Sequence, residues 1–85
     1  MLALQTELTV DTAGAVLSDA IGRIDAGETQ VDCAGLTHFD SSALAVLLAL
    51  RRHAGRRGVP LAFTNMPNGL ASLATVYGVD HLLAG

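Results

Sequence analysis

His38, Asp40 and Ser41 lie within four positions of one another, the nearest this sequence comes to a catalytic trio. A histidine, an acid and a serine together suggest acyl transfer through an activated hydroxyl. Residues so close in sequence at the start of a helix point in different directions, however, and no G-x-S-x-G elbow surrounds the serine. The remaining histidines, His53 and His81, follow His38 at intervals of fifteen and twenty-eight residues. That spacing is wrong for a metal site, so each reads as a solvated surface residue. The chain has no lysine, which excludes both a P-loop lysine and a Schiff-base lysine. No dinucleotide glycine fingerprint follows the first predicted strand. The single cysteine, Cys33, allows neither an internal disulfide nor a cysteine-rich zinc site. It reads as a small apolar core residue. An enzyme is not expected, and neither is a cofactor or a metal.

Two short motifs remain. Gly55-Arg56-Arg57-Gly58, with Arg51 and Arg52 before it, is the one basic cluster and resembles a glycine loop that clamps RNA backbone. Arginines near a helix C-terminus followed by a stop glycine account for it better. A net charge of −3 also argues against a nucleic-acid partner, whose phosphates need neutralising. The second motif is Asp40-Ser41-Ser42-Ala43. Asp40 suits a helix N-cap, with Ser41 and Ser42 in the first turn. A phosphate on Ser41 would be favoured by the free N–H groups there and would add about −2 of charge to an exposed face.

The elements that position these residues follow from apolar spacing. Leu2 to Leu8 alternates with Leu2, Leu4, Thr6 and Leu8 on one side, which predicts a strand. A helix capped by Thr9 or Asp11 follows, with Ala13, Val16, Leu17, Ala20, Ile21 and Ile24 as its apolar stripe. Thr29 to Cys33 reads as a short strand and Ala34 to Phe39 as a loop turning at Gly35. Asp40 then opens a helix to about Arg57, stopped by Gly58. Val59 to Thr64 is the third strand. A third helix is capped by Asn65 or Met66, has Pro67 in its first turn, buries Leu70, Leu73, Ala74 and Tyr77, and ends at a left-handed Gly78. Leu82 and Leu83 close a last short turn.

Strand and helix alternate three times, which predicts an α/β fold: a small mixed or parallel sheet with helices packed mainly on one face. Eighty-five residues suffice for one domain. Hydrophobic residues at 51% and charged residues at 15% exclude a disordered chain. The longest apolar run, Ala43 to Leu50, is far short of the roughly 20 residues that cross a bilayer. No basic start followed by an apolar stretch suggests a signal peptide, so a soluble cytoplasmic protein is expected.

The Asp40 helix carries the functional reading. With Leu47 central to its buried side, Ala43, Val46, Leu47, Leu50 and Ala54 face the core. Ser41, Ala45, Leu48 and Arg52 share a flank pointing away from it. This flank, with Asp40 and Ser42, is the candidate partner-binding face. The competing account of Leu48 is partial cover by a neighbouring helix.

The stretch Val31-Asp32-Cys33-Ala34-Gly35-Leu36-Thr37-His38-Phe39-Asp40-Ser41-Ser42-Ala43-Leu44-Ala45-Val46-Leu47-Leu48 resembles the central motif of STAS domains. Arg57 to Leu61 and Leu73 to Val79 fit the same pattern, so the resemblance runs over nearly the whole chain as one domain. It departs at Ala43, where the family usually has glycine, and the family's usual first edge strand is missing or reduced to a residue or two. The resemblance implies a non-catalytic protein-binding domain from one of two branches. One is the small STAS subunit that binds the cytosolic ATPase of the phospholipid ABC transporter maintaining outer-membrane lipid asymmetry. The other is the anti-sigma factor antagonist, switched by a serine kinase; there the phosphorylated residue directly follows the motif Asp, here Ser41. The short chain, the aliphatic Ala43–Leu50 segment and the Leu-Ala-x-x-Tyr-x-Val ending resemble the transporter branch more closely. No membrane insertion of its own is implied, only placement at the inner face of the inner membrane through the partner complex.

Overall fold

The computed structural model describes residues 1–83. Three strands, β1 (Leu2–Leu8), β2 (Gln30–Phe39) and β3 (Ala62–Thr64), form a sheet in chain order, and both pairings are parallel. Four helices complete the described residues: α1 (Ala13–Asp25), α2 (Ser41–Arg56), α3 (Asn68–Val76) and α4 (Asp80–Leu83). Two successive crossovers that advance the same way across a parallel sheet place α1 and α2 on one face. Burial agrees: Leu2, Leu4, Val31 and Cys33 are buried beneath the helices, whereas Ala3 is exposed. The α/β architecture with helices on one face is as the alternation predicted.

β2 differs from expectation. It is one strand of ten residues, with no loop at Ala34 to Phe39. Pairing to β1 explains the misleading signal. Leu2 to Leu8 spans the same length of sheet as Val31 to Phe39, with register shifts between Ala3 and Gln5 and between Thr6 and Glu7. Each shift inserts an extra residue on β2, which breaks the two-residue alternation without ending the strand. Ala34 and Gly35 are therefore both exposed, and burial resumes at Leu36. At the second shift Thr6 takes a positive φ of 57° and is exposed rather than inward-facing. Thr37 donates its hydroxyl hydrogen bond to the Thr6 carbonyl across the irregularity (3.3 Å).

Helix ends also moved. A turn at Thr9–Thr12 precedes α1, whose N-cap is Thr12; its hydroxyl accepts the Thr9 N–H instead of capping the helix. β3 is shorter than Val59 to Thr64 because the Val59 N–H is donated back to the Ala54 carbonyl at the end of α2, with Gly58 at φ +70°. Val59 thus belongs to a C-terminal cap, and sheet pairing begins only at Ala62. Asn65 is no cap either: it sits at φ 55° and donates to Asp32, and Pro67 is the N-cap of α3.

The core is aliphatic. Leu8, Val31, Cys33, Leu47, Leu50 and Leu70 are fully enclosed, and α2 alone buries Ala43, Leu44, Val46, Leu47, Leu50 and Ala54. This contains the whole stripe predicted for that helix. Burial pushes the Cys33 thiol up to about 11, with the Asp32 charge adding to the effect, so the thiol stays protonated and inert near neutrality.

Candidate protein-binding face

The N-terminus of α2 is set by Asp40. One carboxylate oxygen accepts the Ser42 N–H at 2.8 Å, and the other accepts the Val10 N–H at 3.2 Å. The first bond caps the helix; the second ties the β1–α1 loop to it. These two amides hold the Asp40 carboxyl below the usual carboxylate range. Both oxygens are engaged, and the His38 ring meets the Thr37 hydroxyl (3.3 Å). The structure therefore does not connect His38, Asp40 and Ser41 as a proton relay. Phe39, just before the cap, lies against Gly69 of α3, where an added Cβ would come within 3.2 Å of its ring. The start of α2 is thus held from both sides.

Ser41 occupies the first position of α2 and is exposed; Ser42 is half-buried. Ala45 and Arg52 are exposed on the same flank, and Leu48 is half-buried and packed against the core. Leu48 is thus partly covered by its neighbours. It forms the floor of a groove of about 230 Å³ together with Ser41, Leu44, Ala45, Tyr77 and Val79. The Tyr77 ring belongs to this groove and not to the core: the residue is 59% exposed. Tyr77 follows the last residue of α3, and the Val79 N–H folds back onto the Ala74 carbonyl around Gly78 at φ +71°. Val79 packs against the core and Leu83 is buried, whereas Tyr77 is left largely exposed.

Ala45 is the crest between two apolar depressions. On its other side Ala13, Gly14, Leu17, Ser42 and Val46 line the cleft between α1 and α2. Arg52 lies farther along, in a pocket with Leu48, Arg51 and Leu82. Val76 and Leu82 are also exposed. The two depressions beside Ala45 are lined mainly by apolar residues, among them Ala13, Leu17, Leu48 and Tyr77.

The remaining polar motifs are structural. His53 of α2 contacts Asp25 of α1 at 2.8 Å, and Arg57 reaches the same carboxylate at 3.1 Å. The His53 hydrogen bond, assisted by the Arg57 charge, lowers the Asp25 carboxyl. The glycine–arginine segment thus ends α2 and fastens it to α1. His81 is exposed on α4. No helix among the described residues is long and apolar enough to cross a membrane.

A family model described as "Mlab, STAS domain" matches residues 1–84. The chain belongs to the STAS-domain family. No curated protein matches it. Membership makes this STAS domain a small protein-interaction module of a generally non-enzymatic, regulatory kind. Tyr77 is the residue of the groove that sequence reasoning assigned elsewhere. Its position beside Gly78, at the helix end, was the available signal.

Proposed function

We propose that this STAS domain is a non-catalytic subunit that binds and regulates the cytosolic ATPase of a phospholipid-transporting ABC transporter, serving outer-membrane lipid asymmetry. The observation that carries this reading is the groove in which Tyr77 stands exposed beside Ser41, Ala45 and Leu48. A permanently assembled subunit needs a desolvated apolar contact with an aromatic anchor, and Tyr is enriched among such anchors. The Mlab description of the matching family model supports the same branch. The protein acts in the cytoplasm, held at the inner face of the inner membrane by its partner.

The second reading is an anti-sigma factor antagonist switched by phosphorylation. It is favoured by one observation: Ser41 is exposed at the first position of α2, accessible to a kinase. Complex formation by wild type, Ser41→Ala and Ser41→Asp with the transporter ATPase and with an anti-sigma kinase separates the two. In the transporter reading Ser41→Ala loses about 1 kcal/mol of binding to the ATPase, Ser41→Asp loses more, and no kinase is needed. A phosphate adduct in the intact mass of native protein, together with full transporter function of Ser41→Ala, overturns this reading in favour of the switch.

A further inference from the structure

Beyond Leu48 the binding face changes character. The next pocket is lined by Leu48, Arg51, Arg52 and Leu82, so every charged group in its wall is an arginine. Neither arginine makes an ion pair among the described residues, although the chain as a whole is net negative. Arg51 is the unusual one. Its guanidinium lies over the Phe63 ring, with Cζ 5.0 Å from the centroid. Its Nε and Nη2 are buried and have no hydrogen-bond partner among the described residues.

A dry, unbonded donor is costly, and buried polar groups in folded proteins are nearly always paired. Phe63 compensates the charge through its ring face but accepts no in-plane hydrogen bond. Nε–H and the adjacent Nη2–H form one edge of the guanidinium fork, the edge that grips a carboxylate with two parallel bonds. Arg51 is long and flexible, and it already borders the open pocket. Turning that edge outward would replace two unsatisfied donors with two charge-assisted hydrogen bonds. Helix polarity does not account for the pair, because the basic residues of the last turn of α2 are His53 and Arg56.

We propose that Arg51, with Arg52 at the rim, receives an acidic side chain of the docked protein in this pocket, beside an apolar residue of the same segment seated on Leu48 and Leu82. The assignment rests on the reading of this face as a protein-docking surface and names the chemistry of what docks there. The partner segment is an apolar residue next to Asp or Glu.

The direct test uses the full chain, labelled with nitrogen-15, titrated with N-acetyl-Leu-Glu amide and separately with N-acetyl-Leu-Gln amide. The side-chain Nε–H signals of Arg51 and Arg52 are followed. The glutamate peptide is expected to shift them saturably, less so at high salt, while the glutamine peptide leaves them in place. Equal responses to both peptides, or none to either, overturn the proposal. So does Arg51-dependent capture of phosphatidylglycerol vesicles in place of the peptide, which would assign the pocket to lipid phosphate.

The second arm uses the complex with the transporter ATPase. Arg51→Gln should weaken it about ten- to a hundredfold, the usual cost of losing a charge-assisted bond at a desolvated contact. Arg51→Lys should recover part of the loss, and its thermal unfolding shows whether stacking on Phe63 matters to the fold. An undiminished complex with Arg51→Gln overturns the carboxylate site and leaves the ATPase reading standing. If wild type does not bind the ATPase at all, that reading falls, and the peptide titration alone decides the arginine pocket.

Discussion

Tyr77→Ala and Leu70→Ala separate the binding face from the core on a single stretch of chain. Tyr77 is 59% exposed, whereas Leu70 is 0% exposed. An aromatic side chain carries 150–250 Å² of surface; covering the exposed share at about 25 cal/mol per Å² is worth roughly 2–4 kcal/mol on docking. Truncating Tyr77 should therefore weaken the complex about thirty- to several-hundredfold, since 1.4 kcal/mol is a factor of ten. Its effect on folding should stay within about 0.5 kcal/mol, as for other surface positions. Leu70→Ala does the reverse. It opens a cavity and costs about 2–5 kcal/mol, a large share of the roughly 5–15 kcal/mol that stabilises an ordinary domain. Urea unfolding of each variant, and titration calorimetry against the ATPase subunit at a temperature where both are folded, make the comparison. Wild-type affinity for Tyr77→Ala would refute the argument. So would an unfolding loss for Tyr77→Ala as large as that for Leu70→Ala, because the ring would then be part of the core.

Three further outcomes follow from the same geometry. Ala45→Glu adds bulk and charge to an exposed crest between two apolar depressions; it should abolish co-purification with the partner while leaving the circular dichroism and melting temperature close to wild type. Gly78→Ala forces a Cβ onto φ +71° with no contact to gain, and should lower stability by about 1 kcal/mol, read as a fall of roughly 4–8 °C in a thermal melt, whereas Gly22→Ala in mid-α1 should gain about 0.5–1 kcal/mol. The carboxyls of Asp25, Glu28, Asp32 and Asp40 are all held below their ordinary values by hydrogen bonds in the fold. Their contribution is full above the unfolded-chain values near pH 4 and is lost as pH falls through the lower folded ones; the urea midpoint should be flat from pH 7 to about 5 and drop below that, and Asp40→Asn should soften the drop.

Local pattern alone determined α2. An N-cap aspartate, five small or branched apolar residues at helical spacing and a terminal glycine leave one consistent solution, and the buried side of α2 contains all five and adds Leu44. The order of strands and helices was equally legible, because one right-handed crossover after another allows few arrangements. β2 was not legible past Cys33. Its continuation depends on where β1 places its hydrogen bonds, and the two inserted residues erase the alternation that marks a strand. Tyr77 was not legible for a related reason. Helical spacing states which residues share a face, but not how far the opposing surface extends. Only the packed chain shows Val79 against the core and Leu83 buried, with Tyr77 largely exposed beside Ser41, Ala45 and Leu48.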